Sequence, residues 1–426
     1  MAINNQHRHT LFGGNVDWTT VLVWLLLCLI GWFNIYAAVY DPEHSGLFNL
    51  TTNYGKQSLF ILSAIVVGLT ILVIDAKFFA SMSPVFYGIT LLLLIAVLII
   101  GRNVGGNQAW IPIGEFRLQP SEFAKLATCL LLAWYLSSQS NKTPNLRTLL
   151  IGASIVLVPV ALVMLQPDAG SALAFGSLIF IFYREGYISS NFMIMVGLAI
   201  LLFVLSLLFN EWWIILGMAV VLGIFFYFSS RRQRLLVPLV SLFLIASAYI
   251  FAVEFAYNNL LRPHHRSRIE VILGQIDDPR GEGYNLNQSK IAIGSGKLWG
   301  KGYLQGTQTK YNFVPEQSTD FIFCTIGEEW GFLGSTFVIA VFVTLMLRLI
   351  FIAERQRSTF TRIYGYSVAC IFFMHVLINI GMAIGLAPVI GIPLPFFSYG
   401  GSSLWGFTLL LFILLKLDTE RLVVLR

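Results

Sequence analysis

The stretch Trp18–Tyr40, WTTVLVWLLLCLIGWFNIYAAVY, contains no charged residue. At about 1.5 Å of rise per residue, a helix of this length can cross the hydrocarbon core of a bilayer. Eleven further apolar runs follow, at roughly 58–74, 78–100, 121–137, 146–165, 169–183, 192–209, 212–228, 235–256, 321–350, 362–384 and 402–416. The sequence therefore predicts about twelve transmembrane helices.

Ten transmembrane helices are the main alternative count. The run 169–183 is short for a spanning helix. The runs 192–209 and 212–228 are separated only by Asn210 and Glu211, so this pair is either a tight hairpin or something less regular.

The composition supports the same interpretation. Of the 426 residues, 57% are hydrophobic and 11% are charged, against about 25% charged in ordinary soluble domains, and the mean hydropathy is +0.77. These values exclude a soluble enzyme and a disordered chain. A disulfide scaffold is also excluded, because all four cysteines lie in apolar runs. The predicted fold class is an all-α polytopic integral membrane protein.

The positions of Lys and Arg predict the orientation, because cytoplasmic loops are enriched in these residues. With the N-terminus in the cytoplasm, 15 of the 27 Lys and Arg residues fall in inner segments, while the short outer loops contain only Lys56, Arg102 and Arg117. Both termini are therefore predicted to be cytoplasmic. One long extracytoplasmic loop, 257–320, is basic, and long loops are exempt from this rule.

The first of three polar outer segments is 101–125. Trp110 suits the membrane–water boundary. Glu122 and Lys125 are three residues apart, so they lie on one face of a helix. The residues alone leave a structural ion pair and a substrate-binding role equally open.

The other two polar segments are 166–171 and the long loop 257–320. Asp168 lies between proline and glycine, and its simplest role is to cap the next helix. The long loop is not of low complexity and contains apolar residues throughout. A loop of this kind predicts an ordered lid or platform over the membrane surface.

Asp320 is the strongest candidate for a chemical role. It lies where the long loop enters a predicted span, and partial desolvation there would raise its pKa toward the range of a general base. Glu316 shares its face if the stretch is helical. From position alone, a helix cap explains Asp320 equally well.

Polar residues inside the last spans allow several interpretations. Glu328 and Glu329 must face the bundle or an aqueous cavity, which allows either a proton relay or interhelical hydrogen bonds. His375 and Asn379 are one helical turn apart, and this spacing favours an interhelical contact over a site.

Five motifs together resemble the SEDS family of shape, elongation, division and sporulation proteins, and they occur in the family's order. The motifs are Gln119–Lys125 (QPSEFAK), Gln166–Asp168 (QPD), Gln288–Gly296 (QSKIAIGSG), Pro315–Phe321 (PEQSTDF) and Phe397–Ser403 (FSYGGSS). The run Gly300–Gln308 (GKGYLQGTQ) resembles the elongation members more than the division members.

This resemblance implies a peptidoglycan glycosyltransferase that polymerises lipid II into glycan strands at the bacterial inner membrane. It also implies a partner, a class B penicillin-binding protein that crosslinks the strands. Asp320 matches the family's catalytic aspartate. The residues matching its polar cavity motifs are Trp110, Glu122, Lys125, Arg266, Arg268, Lys290 and Glu316. A divalent cation, Mg²⁺ or Mn²⁺, is compatible with this chemistry, although no ligand set in the sequence requires one.

The sequence departs from the family pattern in two places. Ser318 stands where the family often has histidine, so a role for that imidazole is not carried over. Family members commonly have ten spans, and the apolar runs at about 191–229 resemble an inserted helical pair within a single membrane domain. A lipid II transporter and a non-catalytic scaffold of an elongation complex are the alternative functions.

Overall fold

The computed structural model is mostly helical and describes residues 16–40, 50–104, 107–114, 116–139, 145–229, 232–259, 282–311 and 313–421. Within these ranges the helices are α1 (Trp18–Ala38), α2 (Asn53–Val73), α3 (Ala76–Ser81), α4 (Ser83–Ile100), α5 (Pro120–Ser138), α6 (Leu146–Met164), α7 (Ala169–Gly176), α8 (Ile179–Arg184), α9 (Ser190–Leu208), α10 (Glu211–Phe228), α11 (Arg232–Asn259), α12 (Glu282–Ser295), α13 (Ile322–Glu329), α14 (Gly331–Glu354), α15 (Thr359–Ile384) and α16 (Gly401–Thr419).

Three short strands follow α4, and the all-α prediction did not include them. They are β1 (Arg102–Val104), β2 (Asn107–Ile113) and β3 (Phe116–Leu118). The strands form an antiparallel sheet in the order β1-β2-β3. The sheet pairs Arg102 with Trp110 and Pro112 with Arg117. It places the first polar segment directly before α5.

Ten helices within the described ranges are long and apolar enough to cross a membrane. They are α1, α2, α4, α6, α9, α10, α11, α14, α15 and α16. The remaining predicted runs, 121–137 and 169–183, fold as α5 and as the shorter α7 and α8. The chain is a multi-pass membrane protein, and the count of twelve and the orientation stay predictions.

Short polar residues and proline begin the helices where the sequence contains them. Asp17 Oδ1 accepts a hydrogen bond from Thr20 N at 3.1 Å. Asn210 Oδ1 accepts one from Trp212 N at 3.1 Å, so α10 begins with only Phe209 and Asn210 between it and the end of α9. Pro120 stands at the first position of α5, where its missing N–H leaves no hydrogen bond unmade.

The chain divides into two compact units. One contains Met1–Tyr187 and Tyr284–Arg426, and the other contains Ile188–Gly283. The predicted inserted pair, 191–229, corresponds to α9 and α10, and these two helices lie with α11 in the second unit.

The core of the first unit surrounds α16, the most buried of the ten spans. Phe407 of α16 contacts the rings of Phe372 and Phe396 at centroid distances of 5.2 and 6.0 Å. Helix α1 approaches the same region closely, because a Cβ at Gly31 would lie 2.7 Å from the Phe397 Cα. The segment before α16 is therefore held against the interior of the bundle.

The predicted span 321–350 is interrupted near its start. α13 ends at Glu329 and α14 begins at Gly331, whose φ is +63°. The N–H groups of Phe332 and Leu333 donate to the carbonyls of Lys297 and Leu298, at 2.9 and 3.2 Å. The membrane-spanning helix is α14, and α13 is a separate short helix before it.

Candidate active site

Asp320 lies in a turn that the family motif 397–403 holds in place. The Tyr399 N–H donates to the Ser318 carbonyl at 2.8 Å. The Ser398 hydroxyl donates to the Thr319 carbonyl at 2.6 Å. Two motifs that are far apart in sequence thus fix the backbone on the N-terminal side of Asp320.

A second segment contacts Asp320 on the side of its carboxylate. Gly391 has a φ of +72°, and a Cβ added there would lie 3.1 Å from Asp320 Oδ2. Asn379 of α15 donates to the Asp320 carbonyl at 2.8 Å and to the Ile392 carbonyl at 2.7 Å. The absence of a side chain at Gly391 leaves room for the carboxylate.

Asp168 caps α7, as the sequence predicts. Its Oδ1 accepts from Ser171 N at 3.0 Å, and its Oδ2 accepts from Ser171 Oγ at 2.8 Å and from Gln119 Nε2 at 3.1 Å. Gly170 packs against the segment that carries Gly391, because a Cβ there would lie 3.3 Å from the Gly391 carbonyl oxygen. The cap therefore lies beside the turn that contains Asp320.

The Asp320 carboxylate accepts no hydrogen bond from any residue in the described part of the chain. Burial raises its pKa, and the negative charges of Glu316 and Asp168 raise it further, to about 7. Glu316 itself is exposed and accepts a hydrogen bond from the Thr319 hydroxyl at 2.9 Å. A carboxylate with such a pKa can remove and release protons near neutral pH.

Glu122 and Lys125 form the predicted ion pair, but they lie in the interior. Lys125 Nζ is 2.8 Å from Glu122 Oε1 and 2.8 Å from His375 Nε2, and the Glu122 and Lys125 side chains are 1% and 0% exposed. His375 Nδ1 is 3.1 Å from the Pro393 carbonyl. Because an ammonium group only donates, Nε2 accepts and Nδ1 carries the proton that is donated to Pro393.

This cluster confirms the predicted interhelical contact of His375. It links α5, α15 and the segment after α15. Lys125 Nζ and His375 are thus bound within the protein. The substrate-binding role of Glu122 and Lys125 stays a prediction.

The other predicted site residues lie on separate elements. Trp110 is on β2 and half-buried, and Lys290 is exposed on α12, with its side chain beside Gly385 at the end of α15. The adjacent Ser289 hydroxyl donates to the Ala383 carbonyl at 2.8 Å and so anchors α12 to α15. Arg266 and Arg268 lie outside the described residues.

Glu328 has a function that sequence reasoning missed. Its Oε1 accepts from Lys301 Nζ at 2.6 Å, from the N–H groups of Thr307 and Gln308 at 2.7 and 2.9 Å, and from Thr307 Oγ1 at 3.2 Å. Its Oε2 accepts from the N–H and the hydroxyl of Thr309, both at 2.9 Å. One buried carboxylate thus holds the loop 301–309 in place. The sequence analysis had predicted a proton relay or interhelical hydrogen bonds for Glu328.

The chain matches the model of a known protein family. The FtsW/RodA/SpoVE model, described as a cell cycle protein, matches residues 17–215 and 191–422. The chain belongs to this family. Its matched ranges include every motif described above.

Two named relatives of this SEDS-type family cover most of the chain. A protein of Treponema pallidum (strain Nichols) named peptidoglycan glycosyltransferase RodA is 32% identical over 429 residues, which cover 95% of this chain and 98% of the relative. A protein of Escherichia coli (strain K12) named peptidoglycan glycosyltransferase MrdB is 35% identical over 348 residues, which cover 80% of each chain.

A solved structure shares the fold of this family member. It is a chain from work on the structural coordination of polymerization and crosslinking by a peptidoglycan synthase complex. The TM-score is 0.68 at 24% identity, over 95% of this chain and 98% of the other. At this identity the likeness concerns the fold alone.

Four of the five SEDS motifs meet around Asp320, and a single hydroxyl joins two of them. The Gln119 N–H donates to Ser402 Oγ at 3.2 Å, and the Ser402 hydroxyl donates to the Arg117 carbonyl at 3.0 Å. Gln119 in turn donates to Asp168, as described above. The fifth motif, which carries Lys290, contacts the end of α15 through Ser289.

Proposed function

We propose that this chain is a peptidoglycan glycosyltransferase of the bacterial inner membrane that polymerises lipid II into glycan strands for cell-wall elongation and rod shape. The observation that carries the proposal is the Asp320 carboxylate, which has a pKa raised to about 7 and lies among the family motifs. Membership of the family and the names of the two relatives support the reaction class.

In the proposed reaction, Asp320 acts as the general base. Its carboxylate takes the proton of the acceptor sugar's 4-hydroxyl as that oxygen attacks the anomeric carbon of the donor. The new glycosidic bond forms while the bond from the anomeric carbon to the pyrophosphate oxygen breaks, and undecaprenyl pyrophosphate leaves. Asp320 then releases the proton to water. General base catalysis of this kind contributes about 10²- to 10⁴-fold to a rate.

Cationic side chains are proposed to stabilise the charge that develops on the leaving pyrophosphate. Lys290 is exposed on α12, where a bound substrate could reach it. Arg266 and Arg268 are proposed for the same task on the basis of the family motif. Trp110, Glu122, Lys125 and Glu316 are proposed to shape the substrate cavity.

A requirement for a divalent cation, Mg²⁺ or Mn²⁺, stays a proposal, and no set of ligand residues is assigned to it. Among the residues that the structure describes, no three His, Cys, Asp or Glu side chains lie together as metal ligands. Addition of a chelator to the polymerisation assay tests whether a cation is required, and a loss of product that Mg²⁺ restores would establish the requirement.

The decisive experiment compares purified variants in liposomes that contain labelled lipid II. Wild-type protein is expected to form glycan chains, and Asp320→Asn and Asp320→Ala are expected to form almost none. Asp75→Asn is the matched control, because Asp75 is an exposed cap of α3 and asparagine also caps helices. Normal polymerisation by either folded Asp320 variant would reject the general base. Lipid movement without glycan chains in the wild type would support a transporter instead.

We propose a class B penicillin-binding protein as the partner that crosslinks the new strands. The fold is shared with a chain of a peptidoglycan synthase complex, which supports this assignment. Addition of the purified partner is expected to raise the polymerisation rate of the wild type and not of Asp320→Asn. If Asp320 variants supported normal synthesis while variants that lose the partner did not, a non-catalytic scaffold would be the better account.

A further inference from the structure

Asn379 uses both hydrogens of its amide to join two backbone segments around Asp320. Nδ2 donates to the Asp320 carbonyl at 2.8 Å and to the Ile392 carbonyl at 2.7 Å. The side chain is fully buried, and its Oδ1 has no hydrogen-bond partner among the described residues. The opposite orientation of the amide would place an oxygen against two carbonyl oxygens, so the two acceptors fix which atom is the nitrogen.

The two carbonyls belong to the segments that determine where the Asp320 carboxylate lies. One is the carbonyl of Asp320 itself. The other belongs to Ile392, the residue after Gly391, where an added Cβ would lie 3.1 Å from Asp320 Oδ2. Fixing these segments to one amide therefore sets the position of the carboxylate relative to Gly391. It also maintains the close packing of Gly391 against the carboxylate.

We infer that Asn379 is a positioning residue for the glycosyl transfer, which holds Asp320 at the distance from the acceptor hydroxyl that proton removal requires. This inference rests on the proposed role of Asp320 as general base. Asn379 contacts the backbone carbonyl of Asp320, and it is not proposed to touch the substrate. A misplacement of about 1 Å in such a group can lower a rate by about 10²-fold.

The charged groups around Asp320 determine how the pH dependence should respond. Glu316 comes from the same turn and Asp168 from the start of α7, and both raise the pKa of Asp320. On α15, His375 lies one turn before Asn379 and faces Lys125. The segment Gly391–Pro393 contributes no charged side chain. Loosening of the Asn379 contacts would admit water to Asp320 and lower its pKa.

The test measures kcat, KM and the pH profile of lipid II polymerisation for Asn379→Leu, which keeps the volume of the side chain and removes both donors. We expect kcat to fall by about 10- to 100-fold, with a much smaller change in KM. The rise of kcat/KM with pH should move to lower pH than in the wild type. A purely structural role would reduce the amount of folded enzyme and leave the pH profile in place.

Asn34→Leu is the matched control. Asn34 is also a buried asparagine in a transmembrane helix, its amide donates to the Ile30 carbonyl at 2.7 Å, and its Oδ1 is likewise without a partner among the described residues. Activity of folded Asn34→Leu should stay close to that of the wild type. Asn379→Ala and Asn34→Ala form a second pair that avoids any clash from the branched side chain.

The outcomes separate this inference from the proposed function. If Asp320→Asn is inactive but folded Asn379→Leu has the kcat and pH profile of the wild type, the positioning role is wrong and the general base stands. If both Asn379 variants fail to fold while both Asn34 variants fold, Asn379 serves the stability of the bundle and the positioning role is also wrong. If Asp320→Asn polymerises lipid II normally, the general-base role fails, and the positioning role that rests on it fails with it.

Discussion

Asp320 and Glu328 are two carboxylates at opposite ends of one short segment, and they differ in the hydrogen bonds and charges around them. Asp320 accepts no hydrogen bond in the described part of the chain, and burial with the charges of Glu316 and Asp168 raises its pKa to about 7. Glu328 accepts six hydrogen bonds. Burial acts to raise its pKa as well, but the hydrogen bonds from Lys301, Gln308 and Thr309 outweigh burial and lower it.

The difference separates a carboxylate that serves stability from one that serves chemistry. The ionised form of Glu328 is favoured by its surroundings, so it holds the loop 301–309 in place and has little tendency to take up a proton. The ionised form of Asp320 is disfavoured, which reduces stability but leaves a base that titrates near neutral pH. Substitutions at the two positions should therefore have opposite consequences.

The largest expected effect is on the activity of Asp320→Asn. The polymerisation rate should fall by about 10²- to 10⁴-fold, while the thermal stability in detergent stays equal or rises, because no hydrogen bond to the carboxylate is lost. Tm and the rate of glycan formation are measured on the same preparation. A large decrease in Tm would indicate that Asp320 is a structural residue like Glu328.

The next effect is on the stability of Glu328→Ala. Removal of this carboxylate leaves Lys301 and three backbone N–H groups without their acceptor, which should cost about 3–5 kcal/mol of folding free energy. Thermal unfolding measures the loss, and limited proteolysis should show earlier cleavage within 301–309. Unchanged Tm and unchanged cleavage would mean that Glu328 does not organise the loop.

A smaller effect is expected for Lys301→Ala. This change removes one charged donor from Glu328 but leaves the N–H groups of Thr307, Gln308 and Thr309 in place. The expected loss is about 1.5–3 kcal/mol, the contribution of a hydrogen bond to a charged group, reduced by the partial exposure of Lys301. If Lys301→Ala were as damaging as Glu328→Ala, the ion pair and not the backbone N–H groups would hold the loop.

The sequence predicted the properties of Asp320 better than the contacts of Glu328. The position of Asp320 at the end of a polar loop predicted desolvation and a raised pKa, although a helix cap explained this residue equally well from position alone. The helix cap of Asp168 followed from its neighbours. Glu122 and Lys125 were also predicted as a pair, because residues three apart on a helix face the same way. These features depend on local spacing or on position along the chain.

The partners of Glu328 could not be predicted, because three of its donors are backbone N–H groups that any residue except proline provides. The break between α13 and α14 has a similar origin, since carbonyls of Lys297 and Leu298 satisfy the first N–H groups of α14. The three strands were not predicted, because strands of only three to seven residues give a weak sequence pattern. Contacts of this kind depend on the tertiary fold and leave no pattern in the sequence.

The pH dependence of lipid II polymerisation tests the central claim most directly. In the wild type, kcat/KM should rise as the pH passes through about 7, because the reaction needs the deprotonated carboxylate and this group is protonated below its pKa. In Asp320→Asn the remaining rate should not show this rise. A wild-type rate that does not change across this range, or the same rise in Asp320→Asn, would contradict the assignment of Asp320 as the general base.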